Sequence, residues 1–312
     1  MDKKLKFLID TDIGDEIDDA LALYAAMRMG LDIVGVTTVF RNTKERARIA
    51  KDIFIEYGKG YENVPVLAGY GSPLGQVERD GWEHTCHYCD ALDRQELSPD
   101  GKSPADAVDF IIDCCKKWGE ELVIVCLGPL TNLARAIEKD GEALSSVAKT
   151  VIMGGAFFKQ YADWNVTCDA KAADVVFKRA NRLECIGADV THTLDIGREN
   201  YGYLLNCDSA DGTAAKMREY LTLWKNDVPD RSPTLHDPLA IYYAADESVC
   251  DMTDVSVKVI TEGAAMGMTL NVDAYSKAFM NPAYDGGIPR KVTVAKSVDS
   301  RKIIESFMAL FK

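Results

Sequence analysis

A chain of 312 residues that is 47% hydrophobic carries enough apolar material for one large core, which excludes a disordered polymer. With 36 basic against 49 acidic residues the net charge is −13 and no basic stripe is present, which excludes nucleic acid as the expected partner. No apolar run approaches the roughly twenty residues a membrane span needs, and nine scattered cysteines, several inside apolar runs, point to a reducing, cytoplasmic setting with buried thiols.

The first element is the apolar run Phe7-Leu8-Ile9, which ends in Asp10 and reads as a buried strand. A turn containing Gly14 follows, and Ala20 to Met27 then reads as a helix. Six carboxylates fall in the ten residues at this junction: Asp10, Asp12, Asp15, Glu16, Asp18 and Asp19. One or two acids at a helix start complement its dipole. Six repel one another unless positive charge sits among them, and a hard divalent cation is the simplest source. The plain alternative is a capped, solvated helix start.

Asp32 to Phe40 is a second β-rich run, and Thr43 to Tyr57 has helical spacing with Ile49, Ile53 and Tyr57 on one stripe. Val64 to Gly69 is a short third strand. Residues 71–102 show no clear period, and a loop that long in a compact domain is often functional. Ser103-Pro104 opens a helix reaching Trp118. Glu121 to Gly128 is an apolar strand, and Pro129-Leu130-Thr131-Asn132 opens the next helix. Strands are expected at Val151 to Gly155 and Leu183 to Val190, separated by a helix over Asp169 to Ala180. Further on, helices are expected at Ser209 to Trp224, from His236, and at Ser300 to Phe311. Strands, with an antiparallel arrangement as one reading, are expected at Val255 to Ile260 and Met266 to Val272. No linker, repeat or low-complexity segment interrupts the chain. The alternation predicts an α/β fold: a single large domain over residues 1–312, with a mostly parallel sheet flanked by helices. In such sheets ligands bind beyond the carboxyl ends of the strands. The site is therefore expected where Asp10, Asp12, Asn42, the Leu127-Gly128-Pro129 segment and the stretch after Gly155 converge.

Taken together and in order, these segments resemble the inosine-uridine preferring nucleoside hydrolase family. The family's opening Asp-x-Asp-Pro-Gly-x-Asp-Asp-Ala is matched by Asp10-Thr11-Asp12-Ile13-Gly14 with Asp18-Asp19-Ala20. Further matches are Thr37-Thr38-Val39 with Asn42, the intact Gly128-Pro129-Leu130-Thr131-Asn132, Met153-Gly154-Gly155, Asp163-Trp164-Asn165 with Asp169, and His236-Asp237. The resemblance implies hydrolysis of the N-glycosidic bond of a ribonucleoside to base and ribose, with a tightly bound Ca²⁺. It makes Asp12, Asp19 and Asp237 side-chain metal ligands, joined by the carbonyl of Leu127; Ca²⁺ accepts such a set of hard oxygens. It makes Asp12 also the general base toward the attacking water and His236 the acid for the departing base. Asp18, Asn42, Asp163 and Asn165 match positions that hold ribose. Family members are often dimers or tetramers, so a homodimer or homotetramer is implied.

Three departures stand out. Asp15-Glu16-Ile17 lengthens the acidic turn by two residues. The family's asparagine for the ribose 5′-hydroxyl is missing after Gly155, where Lys159, Gln160 or Tyr161 could stand in. Asp163 and Trp164 replace glutamate and phenylalanine. A 5′-modified substrate, such as a phosphate near Lys159, is one alternative reading, and a non-catalytic ribose-binding sensor is another. A phosphatase using Asp10-Thr11-Asp12 as its nucleophile motif would leave the Gly-Pro-Leu-Thr-Asn and His-Asp segments unexplained. The segment His84-Thr85-Cys86-His87-Tyr88-Cys89 reads either as a lid whose His84, His87, Tyr88 and the nearby Trp82 contact the base, or as zinc ligands His84, Cys86, His87 and Cys89.

Overall fold

The computed structural model describes residues 4–76, 97–159, 161–206, 212–273 and 289–312. His84, Cys86, His87 and Cys89 lie outside the described residues.

Nine strands form one sheet: β1 (Lys6–Thr11), β2 (Asp32–Thr38), β3 (Val66–Ala68), β4 (Leu122–Cys126), β5 (Lys149–Met153), β6 (Leu183–Ile186), β7 (Cys250–Val259), β8 (Thr269–Asn271) and β9 (Lys291–Val298). Their spatial order is β3-β2-β1-β4-β5-β6-β9-β7-β8. The first seven in that order run parallel; at one edge β7 pairs antiparallel with β9, and β8 antiparallel with β7. The order reverses between β1 and β4, so β1 is flanked by strands that leave it in opposite directions. A crevice opens at that reversal, outside the carboxyl ends of both strands.

The central strands are buried on both faces, which explains their unbroken apolar runs. Alternation then divides them. Phe7, Ile9, Val123 and Val125 join one core; Leu8, Leu122, Ile124 and Cys126 join the other. Helix α1 (Asp18–Arg28) is buried from Asp18 to Met27. It has no polar face because it lies between the sheet and two further helices, α2 (Thr43–Tyr57) and α10 (His236–Ala245). Its first turn is thereby held at the crevice beside the first turn of α10.

The remaining helices are α3 (Pro104–Trp118), α4 (Thr131–Ser145), α5 (Trp164–Cys168), α6 (Ala170–Arg179), α7 (Ala188–Thr191), α8 (Gly197–Asn206), α9 (Gly212–Asp227) and α11 (Ser300–Ala309). Pro104 at the first position of α3 follows the Ser103–Asp106 capping box.

Three local expectations change. The strand expected to reach Val190 stops at Ile186. Gly187 then starts the helical turn α7, whose Asp189 side chain accepts from the backbone N–H groups of Phe157, Phe158 and Lys159. Strand β9 was not expected; it slots between β6 and β7 and supplies Val292 and Val294 to the core. The strand expected over Met266 to Val272 shrinks to β8, because Gly267 takes a left-handed φ of 90° just before it.

Candidate active site

Asp12 follows β1 directly, and Leu127 follows β4. The two ends are close: a Cβ on Gly128 would sit 2.7 Å from Asp12 Oδ1 and 2.9 Å from its backbone nitrogen, so only glycine lets the second strand end pass Asp12. Asp18 and Asp19 are the first residues of α1, and Asp237 is in the first turn of α10. All four carboxylates line a cavity of about 570 Å³, together with Leu127, Met153, Asp163, Asn165, His192 and His236.

The carboxylates of Asp18, Asp19 and Asp237 offer oxygens within 4.8 Å of one another, all buried. The Asp237 backbone N–H also donates to Asp18 Oδ2 at 3.4 Å, and Thr11 Oγ1 donates to Asp19 Oδ1. Burial, then Glu16 and Asp12 beside it, pushes Asp18 up to about 7. Burial also pushes Asp12 up to about 7, against the opposing pull of Arg46. Asp19 and Asp237 are raised well above the usual carboxylate range, by burial first and by their acidic neighbours second. Such a group of hard oxygens is short of positive charge, and it could hold a metal ion.

The two extra acids of the long turn press on Asp12 and Asp18, but each is itself paired with an arginine. Asp15 Oδ2 accepts from Arg46 Nη2 at 3.0 Å, and Glu16 Oε1 accepts from Arg231 Nη1 at 2.9 Å. Trp224 Nε1 donates to the other Glu16 oxygen at 3.1 Å. Arg46 is completely buried and also donates to the carbonyls of Phe40, Asp12 and Ile13, so it fixes the turn that carries Asp12. The sequence reading gave Arg46 no role. The signal was available, because Arg46 stands on the same α2 stripe as Ile49 and Ile53, where a charge has no reason to be unless it is paired.

Behind Asp12, Asp10 is buried and does not line the cavity. Its Oδ1 accepts from Thr37 Oγ1 at 2.6 Å and from Asn132 Nδ2 at 2.8 Å. Asn132 also donates to the Thr38 carbonyl and accepts from Tyr70 N–H, so the asparagine of the Gly-Pro-Leu-Thr-Asn segment crosslinks β1, β2 and the turn after β3.

Next to Asp237, His236 begins α10 with Nδ1 2.6 Å from Thr191 Oγ1. Its ring meets His192 edge to face at 5.1 Å, and His192 in turn faces Tyr161 at 5.8 Å. Burial first, then His192 and Arg231, lowers His236 to about 4, so its imidazole is neutral at neutral pH. His192 is a second residue that the sequence reading missed. It stands just past the carboxyl end of β6, where this class of sheet collects ligand contacts.

Asp163 caps α5 through the N–H of Val166, and burial raises it despite several backbone donors. Asn165 Nδ2 donates to the carbonyls of Leu127 (2.6 Å) and Met153 (3.1 Å), which leaves the Leu127 oxygen its second lone pair. Asn42 is placed differently: its Oδ1 caps α2 by accepting from Glu45 N–H, and it is not on the cavity wall, whereas its neighbour Arg41 is. Lys159 is exposed and off the wall; Tyr161, Ala162 and the exposed Trp164 are on it. Tyr220 is core, with its hydroxyl donated to Asp52 at 2.8 Å. His84 lies outside the described residues.

Residues 7–305 match the family model described as inosine-uridine preferring nucleoside hydrolase. Uridine nucleosidase 1 of Arabidopsis thaliana is 31% identical over 97% of this chain and 92% of its own length. The inosine-uridine preferring nucleoside hydrolase of Leishmania major is 27% identical over 85% of this chain and 87% of its own. Among solved structures, the plant nucleoside hydrolase PpNRh1 superposes with a TM-score of 0.82 at 28% identity, covering 99% of both chains. The purine-preferring ribonucleoside hydrolase of Gardnerella vaginalis gives 0.75 at 25% identity, covering 98% of both.

Proposed function

The chain belongs to the inosine-uridine preferring nucleoside hydrolase family, enzymes acting on N-glycosyl compounds, and on that premise we propose a Ca²⁺-dependent hydrolysis of a ribonucleoside to ribose and free base. One observation carries the reading. Buried carboxylates from two helix starts and a histidine ring line one cavity large enough for a nucleoside.

Asp12, Asp19 and Asp237 would hold the cation with the Leu127 carbonyl, and Asp18, grouped with Asp19 and Asp237, would serve the ribose. Ca²⁺ suits this set because it takes many oxygens, a backbone carbonyl included, in flexible geometry. A bound cation would supply the positive charge that grips the ribose hydroxyls and acidifies the attacking water. Asp12 receives that water's proton. Asp163 and Asn165 orient the sugar from the far end. As the glycosidic bond breaks, its electron pair leaves with the base and positive character develops on the ribose. Fixed carboxylates around the sugar stabilise that charge in a site shielded from water. His236, neutral because burial lowers it to about 4, would donate a ring N–H hydrogen bond to the departing base rather than act as the proton-giving acid. The base takes its proton from solvent and Asp12 returns the water's proton there, so the sum is nucleoside plus water to ribose plus free base. Asp163 on the wall, with Lys159 off it, favours a substrate with an uncharged 5′ end over a phosphorylated one.

The test is free-ribose release from a panel of purine and pyrimidine ribonucleosides and their 5′-phosphates, with calcium and with a chelator. Chelator-sensitive release restored by calcium supports the reading, and the ranking of bases assigns specificity. Calcium binding without release from any nucleoside would overturn it in favour of a ribose-binding protein.

A further inference from the structure

We propose that Thr191 is a positioning residue that fixes the tautomer of His236, keeping the ring proton on Nε2, the nitrogen left to the cavity. The proposal rests on the hydrolase reading only for its consequence, not for its geometry.

Thr191 closes the helical turn α7 just past the end of β6, and it is fully buried. Its backbone N–H donates to the Gly187 carbonyl at 3.2 Å, and its carbonyl accepts from Leu194 N–H at 2.9 Å, so the main chain at this point is pinned on both sides. Its hydroxyl lies 2.6 Å from His236 Nδ1, and among the described residues that nitrogen is the hydroxyl's one partner.

The hydroxyl has a single hydrogen and two lone pairs, while a neutral imidazole has one N–H and one bare nitrogen. Two arrangements are conceivable. If Nδ1 carried a proton, in the other tautomer or in the charged ring, it would donate to Oγ1, and the buried hydroxyl hydrogen would have no acceptor among the described residues. If Nδ1 is bare, the hydroxyl donates to it and every group of the pair is satisfied. Buried polar groups are overwhelmingly satisfied, because an unmade hydrogen bond in a dry interior is costly. The second arrangement therefore holds, and the proton sits on Nε2. His236 lines the cavity, and Nε2 has no partner among the described residues. The N–H that meets the departing base is thus set before substrate arrives. In water, by contrast, both tautomers of a free imidazole would be present.

The experiment reads the tautomer directly, by ¹⁵N NMR of ring-labelled histidine in the whole protein, beside ribose-release kinetics. The native protein should show His236 protonated at Nε2 and bare at Nδ1. Thr191→Val removes the hydroxyl at nearly constant size. It should give an Nδ1-protonated or mixed ring and lower kcat by roughly tenfold with KM little changed. Thr191→Ser should restore both signals. An Nδ1-protonated His236 in the native protein overturns the proposal, and so does a valine variant with an unchanged tautomer. If the valine variant does not fold, the native spectrum and the serine variant still decide. The spectra need no turnover. A protein that releases no ribose but shows the Thr191-dependent tautomer would sink the hydrolase reading and leave this one standing.

Discussion

Asp12, Asp18 and Asp19 sit together in one short stretch of chain and are joined in space by Asp237 from α10, whereas the histidine wall of the same cavity gathers Tyr161, His192 and the Arg231–His236 stretch. The acidic wall is fully buried, rests on two helix starts and a strand end, and is braced by Arg46 from beneath. The histidine wall is more open: Arg231 is largely exposed, and its contact with Glu16 lies at the rim. The first wall concentrates like charge, which protonation or a bound cation would relieve. The second carries one guanidinium, Arg231, at its exposed edge, and its two histidines work through the direction of single hydrogen bonds. Damage to the first should abolish function, and damage to the second should grade it.

Asp237→Asn tests the contrast hardest. Removing one of the clustered carboxylates should lower ribose release on the order of a thousandfold and abolish calcium binding by calorimetry. Activity within tenfold of the native protein would take Asp237 out of the cation site. His236→Gln should cost about a hundredfold in kcat while leaving calcium affinity unchanged. An equal loss of calcium binding would show that the two walls are not separate.

A third measurement compares the walls through stability. Asp10, Asp12 and Asp18 stand near 7 in the folded chain against 3.8 for a free side chain. The folded state therefore binds more protons than the unfolded one over that interval, and their contribution is greatest below 3.8 and is lost as pH rises through about 7. His236 acts in the opposite sense. Its folded value of about 4 against 6.5 gives stability above 6.5 that is lost as pH falls through 4. Three carboxyls outweigh one imidazole, so in chelator the Tm should be higher at about pH 5 than at about pH 7.5. Calcium should narrow that gap, and a gap indifferent to calcium would separate the raised carboxyls from the metal.

The smallest effect is expected at the rim. Glu16→Gln removes an exposed pair with Arg231, and such pairs contribute about 0–1 kcal/mol. Tm and kcat should shift little, with kcat staying within about threefold. A larger loss would give the lengthened turn a part in catalysis.

The alternation of apolar strands and helices, the acidic junction after β1 and the ordered segments up to His236-Asp237 are local properties. Side-chain periodicity and turn chemistry write them into the sequence. Fold class and family were legible on those grounds, and so was the crevice at the strand ends. Partnership was not. That Asp15 and Glu16 each face an arginine, Arg46 from α2 and Arg231 from the loop before α10, depends on how distant elements pack. Asn42 lies past a strand end in the sequence, yet its side chain caps α2 by accepting from Glu45 N–H. His192 and Thr191 reach His236 only because α7, the turn that follows β6, packs beside α10. Periodicity tells which face of an element is buried, but not what it is buried against; the sheet order, fixed by contacts across the whole chain, decided that.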